Sequence, residues 1–372
     1  MQLLRKFTID WVLICATLAI GATGLVTMNS FSGQSAFFSR QLIWIPLACG
    51  VCFLFSFFDF RFLRRTSVVV TLYIAILILF GVTFLVGETI NGAVRWVSLG
   101  PISFQVSDFA KIVLIIVLAK YFSRRHIEIA HFKHIFISGL YAFLFFLLVF
   151  LQPDLGSAII LFLIWAGMVV ISGISKKHII LVFCIAAVVF GGLWMSVFQD
   201  YQKERILTFL HPLADIQGAG YNAYQSTIAV GSGKLMGKGI GFGTQSKLQF
   251  LPEYETDFIF ASFAEEWGLV GTIYLFSLFG IVIWRIIANA RMGASNFERL
   301  YGAGIALFLL IHFTVHVGMN IGSLPVTGTT LPFMSYGGSH LLTEFSALGI
   351  LMGMRRYAEP VESMRVQESM LA

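Results

Sequence analysis

Residues 68–86 read Val-Val-Val-Thr-Leu-Tyr-Ile-Ala-Ile-Leu-Ile-Leu-Phe-Gly-Val-Thr-Phe-Leu-Val, without one Asp, Glu, Lys, Arg or His. As a helix rising 1.5 Å per residue, this stretch is about 28 Å long, enough to cross a ~30 Å hydrocarbon core. Nine similar blocks accompany it, at about 9–28, 42–58, 109–122, 135–151, 155–174, 179–198, 258–287, 300–321 and 340–354. Of the 372 residues, 58% are hydrophobic and only 12% charged, against roughly a quarter charged in ordinary soluble domains. That excludes a soluble enzyme, a disordered chain and a nucleic-acid-binding domain. The expected fold is an all-α integral membrane protein of ten transmembrane helices, a single domain over residues 1–372. The first block follows Arg5 and Lys6 with no small-residue cleavage pattern, so it reads as an uncleaved anchor.

Basic residues set the orientation. With the N-terminus inside, 17 of the 25 Lys and Arg fall on inner ends and loops, among them Arg61, Arg64, Arg65, Arg124, Arg125, Lys176, Lys177, Arg355 and Arg356. The short outer loops and their flanks hold three: Arg40, Arg95 and Lys111. Both termini are therefore expected in the cytoplasm. Residues 199–257 become one long extracytoplasmic loop between spans seven and eight. The net charge of +6 follows from this topology and from attraction to anionic lipid. All four cysteines lie in apolar spans, so Cys49-Gly-Val-Cys52 reads as helix packing and not as a redox pair.

Twelve of the 19 acidic residues lie outside or in the outer halves of spans, and orientation does not explain them, because Asp and Glu contribute little to it. Asp257 stands at the start of span eight, with Glu265 and Glu266 two turns deeper. Asp108 and Lys111 are three apart in span four and share a helix face. Asp154 ends the turn Gln152-Pro153-Asp154, Arg95-Trp96 precedes span four, and Glu344 lies one turn into span ten. Each has a plain reading as a cap or a salt bridge, and for Asp257 that reading is an N-cap. Together they read as a water-filled cavity opening outward. The uncharged segment 323–339, with two prolines and three glycines, must be buried or line that cavity, which brings in Ser335. Within the long loop, Tyr221, Tyr224, Gln225 and Ile228 recur at helical spacing, as in a short amphipathic surface helix. The glycine-rich run at 231–243 follows no strand and lacks nucleotide-loop spacing. It reads either as a re-entrant turn or as a backbone cradle in which Lys234 and Lys238 attract an anionic group such as a lipid pyrophosphate.

Four stretches in combination resemble the SEDS family (shape, elongation, division and sporulation). They are Gln152-Pro-Asp-Leu-Gly156; Ile228-Ala-Val-Gly-Ser-Gly233 with Gly237-Lys-Gly239; Phe250-Leu-Pro-Glu253 with Thr256-Asp-Phe258; and Leu331-Pro-Phe333 with Ser335-Tyr-Gly-Gly-Ser339. The resemblance covers essentially the whole chain and is nearer the elongation branch than the division branch. It implies a ten-helix peptidoglycan glycosyltransferase that polymerises lipid II, a disaccharide-pentapeptide on undecaprenyl pyrophosphate, at the periplasmic face of the cytoplasmic membrane. It also implies a class B penicillin-binding protein transpeptidase and other elongation-complex membrane proteins as partners. The family's essential aspartate falls on Asp257, the expected general base, and its lysine and acid of the fourth span fall on Lys111 and Asp108. Substrate contacts are expected from Lys111, Asp108, Asp154, Arg95, Trp96, Glu253, Lys234, Lys238 and Ser335. A divalent cation, Mg2+ or Mn2+, is the candidate cofactor, with its ligands unassigned; no organic cofactor and no nucleic acid are expected. The chain departs from the family pattern at Asp108, usually Glu, at Glu255, usually His, at Lys234, usually Gly, and at His340, which follows Ser-Tyr-Gly-Gly-Ser. Two rival readings are a lipid II flippase and a non-catalytic scaffold. A transporter is expected to show inverted repeats and discontinuous helices, and neither is read here. A scaffold would have no use for carboxylates in the outer leaflet.

Overall fold

The computed structural model describes residues 9–31, 36–90, 93–99, 102–124, 132–173, 200–211, 220–248 and 250–357, with single residues between 180 and 198. The helices are α1 (Trp11–Phe31), α2 (Ala36–Phe57), α3 (Thr66–Val86), α4 (Val106–Ser123), α5 (Phe132–Leu151), α6 (Leu155–Ile171), α7 (Asp200–Leu210), α8 (Tyr221–Ser232), α9 (Thr244–Lys247), α10 (Ile259–Arg291), α11 (Asn296–Asn320) and α12 (Gly338–Arg356). Among the described residues, six helices are long and apolar enough to cross a membrane: α1, α2, α3, α5, α10 and α11. Helix α6 is apolar but shorter. Helices α4 and α12 carry charges inside them, Asp108, Lys111 and Lys120 in one and Glu344, Arg355 and Arg356 in the other. The span read at 179–198 lies outside the described residues, apart from isolated positions.

The expectation of an all-helical chain is corrected between α3 and α4. There β1 (Glu88–Ile90), β2 (Ala93–Leu99) and β3 (Ile102–Gln105) form an antiparallel sheet with β2 in the middle, Trp96 facing Gln105 across it. The cause is local: residues 93–99 carry Val94, Trp96, Val97 and Leu99 with Arg95 and Ser98 among them, and β-branched and aromatic residues favour strands.

A second correction concerns α10. Its 33 residues would span about 50 Å as a straight rod, but it breaks at Gly268, where φ is 64° and ψ −161°. This discontinuous helix escapes a sequence reading because the partners that close the break come from the glycine-rich segment 27 to 35 positions earlier. Leu269 and Val270 donate their N–H groups to Lys234 O and Leu235 O, at 2.9 and 3.1 Å. Lys238 and Gly239 donate theirs to Glu265 O and Glu266 O, both at 3.0 Å.

Helix α4 is buried along almost its whole length and packs on α3, α6, α11 and α12. The two ends of the bundle differ chemically. At one end, Asp10 accepts from Arg285 Nη2 at 2.8 Å and from Asn289 Nδ2 at 2.7 Å, and Arg64 pairs with Glu298 at 2.6 Å. These contacts tie the start of α1 to the far half of α10, and the segment before α3 to the start of α11. The sheet, the starts of α4, α6, α10 and α12 and the end of α11 meet at the opposite end.

Candidate active site

Asp257 sits in the turn segment 251–258 that leads into α10. Phe258 is the N-cap residue of α10 and no side chain caps that helix. The N-cap reading of Asp257 therefore does not hold, and its carboxylate is left for other work. The backbone around it is fixed from three directions. Asn320 Nδ2 donates to Asp257 O at 3.0 Å, while Asn320 Oδ1 accepts from Ala261 N at 3.1 Å. Ser335 Oγ donates to Thr256 O at 2.8 Å and accepts from Leu331 N at 2.8 Å. Tyr336 N donates to Glu255 O at 3.0 Å, and Gln41 Nε2 holds Ser335 O at 3.0 Å. The carboxylate itself rests against Gly328, where an added Cβ would lie 3.3 Å from Asp257 Oδ2. The uncharged segment thus forms a wall beside Asp257.

Asp257 is half-buried. Burial pushes its carboxyl up from 3.8 to about 7; Glu253 and Asp154 push the same way, and Arg205 and Arg95 oppose them. These four charged side chains come from the turn itself, the start of α6, helix α7 and strand β2. Arg95 bonds the carbonyls of Gln152 and Pro153 and lies 3.9 Å from Asp154. Asp154 is buried and caps α6 through Ser157 N at 3.1 Å, while its second oxygen accepts from Gln105 Nε2 at 3.1 Å. Glu253 is exposed and accepts from Thr256 Oγ1 at 2.9 Å. Trp96 is half-buried on the strand paired with Gln105.

A second polar layer lies behind the first. Gln105 N donates to Ser339 Oγ at 3.0 Å, which joins the start of α4 to α12. Lys111 Nζ is 2.9 Å from Asp108 Oδ1, and the two residues are 2% and 3% exposed. His340 bridges Asp108 at 3.2 Å and Glu344 at 3.0 Å, and Glu344 also accepts from Phe333 N at 2.9 Å. Lys111 and Asp108 are thus neighbours of the site with their charges turned on each other and on α12. Lys238 lies away from this column: its Nζ is 2.6 Å from Glu265 Oε1. Lys234 is exposed at the same loop, with φ at 48°.

The family model described as "Cell cycle protein", which covers FtsW, RodA and SpoVE, matches residues 1–359. The chain belongs to the SEDS family. Peptidoglycan glycosyltransferase MrdB of Escherichia coli strain K12 is 40% identical over 286 residues, 77% of each chain. Stage V sporulation protein E of Bacillus subtilis strain 168 is 33% identical over 367 residues, 95% of this chain and 99% of the other. The crystal structure of Rod shape determining protein RodA from Thermus thermophilus shares 29% identity with this SEDS chain, at a TM-score of 0.71, over 95% and 99% of the two chains. A chain in a peptidoglycan synthase complex, solved for its coordination of polymerization and crosslinking, aligns at a TM-score of 0.81 with 31% identity, over 95% and 100%. This SEDS protein is therefore a multi-pass membrane protein of RodA-like fold.

Three participants escaped the sequence reading. Arg205 on α7 was one charge among several in a long loop. Asn320 was a lone polar residue ending an apolar span. His340 was visible only as a departure from the family pattern, and its bridge between Asp108 and Glu344 joins residues more than 200 positions apart.

Proposed function

We propose that this SEDS protein is a peptidoglycan glycosyltransferase that polymerises lipid II at the periplasmic face of the cytoplasmic membrane, with Asp257 as general base. One observation carries the reading: a carboxylate free of capping duty, its backbone held on three sides, its carboxyl pushed to about 7 and two arginines near it. A base poised near the working pH is what proton abstraction from a sugar hydroxyl requires. In the proposed step the acceptor hydroxyl gives its proton to Asp257 as its oxygen bonds to the donor's anomeric carbon. The carbon–oxygen bond to the pyrophosphate breaks, and undecaprenyl pyrophosphate leaves with the electron pair. Arg205 and Arg95 supply positive charge near that departure, and Glu253, Trp96 and Lys234 are the rim groups proposed to touch substrate. Lys111, Asp108, Asp154 and Ser335 act behind them by fixing the floor and the backbone.

The proposed topology is ten spans in a single membrane domain, with both termini in the cytoplasm and Asp257 toward the periplasm. It is supported by Arg64, Arg285 and Arg355 lying at the end of the bundle opposite Asp257. The partner is proposed to be a class B penicillin-binding protein, in line with the synthase complex that aligns with this chain. Among the described residues, no three His, Cys, Asp or Glu side chains stand close enough together to hold a metal ion. A Mg2+ or Mn2+ ion is proposed to come with the substrate pyrophosphate. The flippase reading gains one feature, the break in α10, but the chain's own loop fills that break.

The test is incubation of purified protein, alone and with its transpeptidase partner, with labelled lipid II and a divalent cation. Wild type should form polymer and Asp257→Asn should not. No polymer from the wild-type complex would sink the reading.

A further inference from the structure

An unbroken α10 would bond Leu269 N to Glu265 O and Val270 N to Glu266 O, the i to i−4 pattern of every α-helix. The structure exchanges both bonds, one for one. Glu265 O and Glu266 O accept from Lys238 N and Gly239 N, and Leu269 N and Val270 N donate to Lys234 O and Leu235 O. The glycine-rich segment is spliced into the helix, and all four of these backbone groups keep a partner where water is scarce.

Side chains hold the splice from both sides. Glu265 is fully buried, and its carboxylate accepts from Lys238 Nζ at 2.6 Å, Thr244 N at 3.0 Å, Thr244 Oγ1 at 3.1 Å and Gln245 N at 3.2 Å. The next residue, Glu266, accepts from Gly241 N. The anion in the glycine-rich cradle is therefore the chain's own Glu265. The fit leaves no slack. A Cβ at Gly237, where φ is 78°, would meet Glu266 O at 2.0 Å, and one at Gly268 would meet Gly237 N at 2.3 Å.

The half-helix so held begins two residues after Asp257. The element that feeds the loop, α8, touches the same frame: Ser226 Oγ donates to Asn320 O at 2.8 Å, and Asn320 holds Asp257. We propose that the spliced loop is a working part of the active site, and that Glu265 is a positioning residue that sets the direction of the half-helix carrying Asp257. The proposal rests on Asp257 being the base. By uncoupling nine residues of α10 from its long membrane-crossing half, the splice lets the catalytic turn be aimed independently of helix tilt.

The experiment uses full-length protein with its transpeptidase partner and labelled lipid II, in a background lacking the native cysteines. Glu265→Gln keeps the side chain's size and loses its charge. A base moved by a fraction of an ångström should cost about tenfold to a hundredfold in the kcat of the folded fraction, with KM within about twofold, while the melting temperature also falls because Lys238 and two backbone N–H groups lose a charged acceptor. Crosslinking a cysteine at Leu235 to one at Val270, two exposed positions on either side of the splice, should restore most of the lost kcat. A fall in melting temperature with unchanged kcat in the folded fraction would show a merely structural residue and overturn the proposal. So would a rise in KM at constant kcat, which would mean that the loop grips substrate. The same assay on Asp257→Asn separates the two claims. Wild-type activity there removes the base and the proposal with it, whereas an inactive Asp257→Asn beside a fully active Glu265→Gln removes only the loop.

Discussion

Asp257 is a group whose folded value, about 7, lies well above the 3.8 of a free aspartate. The folded protein binds that proton more tightly than the unfolded chain does. This contribution to stability therefore falls as pH rises from about 4 to 7, and is level above that. Asp257→Asn should melt above wild type at pH 8, with the difference closing toward pH 4. Its polymerisation rate should drop about 10²–10⁴-fold, the usual cost of losing a general base. In wild type, kcat/KM should climb with pH through a midpoint near 7. A flat profile between pH 5 and 8 would count against the base. Lys111 poses a different question, since its ammonium is buried against Asp108. Removing one partner of such a pair typically costs about 3–5 kcal/mol, whereas replacing both by neutral groups is often tolerated. Lys111→Met should therefore lower the melting temperature sharply, and Lys111→Met combined with Asp108→Asn should regain most of it. If the double variant is stable yet inactive, the pair matters to the site itself.

At the scale of elements, Asn320 joins α11 to α8, to α10 and to the catalytic turn. Asn320→Asp keeps an oxygen for Ala261 N but loses the donor to Asp257 O, leaving that carbonyl short of a partner at a cost of about 1–3 kcal/mol. The expected result is reduced kcat with a modest loss of melting temperature, read by lipid II turnover and thermal denaturation of the same preparation. What sequence reading could and could not reach also shows most clearly at this scale. The block at 68–86 became α3 almost residue for residue, because an uninterrupted apolar run has one way to satisfy its backbone in lipid. Asp257, Asp154, Asp108 and Lys111 stood out because charge near a membrane needs a reason. Residues 93–105 were passed over because they are too short and mixed to register beside such runs. The break at Gly268 was hidden because a lone glycine in an apolar helix is ordinary, and the four hydrogen bonds that make it a break come from Lys234 to Gly239. The role of Lys238 was missed for the same reason: its partner, Glu265, is 27 positions away.

For the whole molecule, the two chemically distinct ends predict a labelling pattern. In intact spheroplasts and a cysteine-free background, a cysteine at the exposed Lys247 should react with a membrane-impermeant thiol reagent. One at the exposed Arg291, at the far end of α10, should react only after permeabilisation. The reverse pattern would turn the protein over and put Asp257 in the cytoplasm.

The helix at the centre of the bundle bears on how the protein is made. Helix α4 is shielded from lipid on nearly every side, yet it enters the bilayer with Asp108, Lys111 and Lys120 in only 18 residues. A charge at mid-membrane costs about 2.5–3.5 kcal/mol on the scale that governs insertion during synthesis, so α4 is poorly suited to leave the insertion channel alone. Asp108 and Lys111 lie one turn apart and can neutralise each other as soon as the helix forms, whereas His340 and Glu344 are translated more than 200 residues later. The ribosome must therefore finish most of the chain before the floor of the active site can close, and until then α4 has to wait beside α3 for the helices that will enclose it.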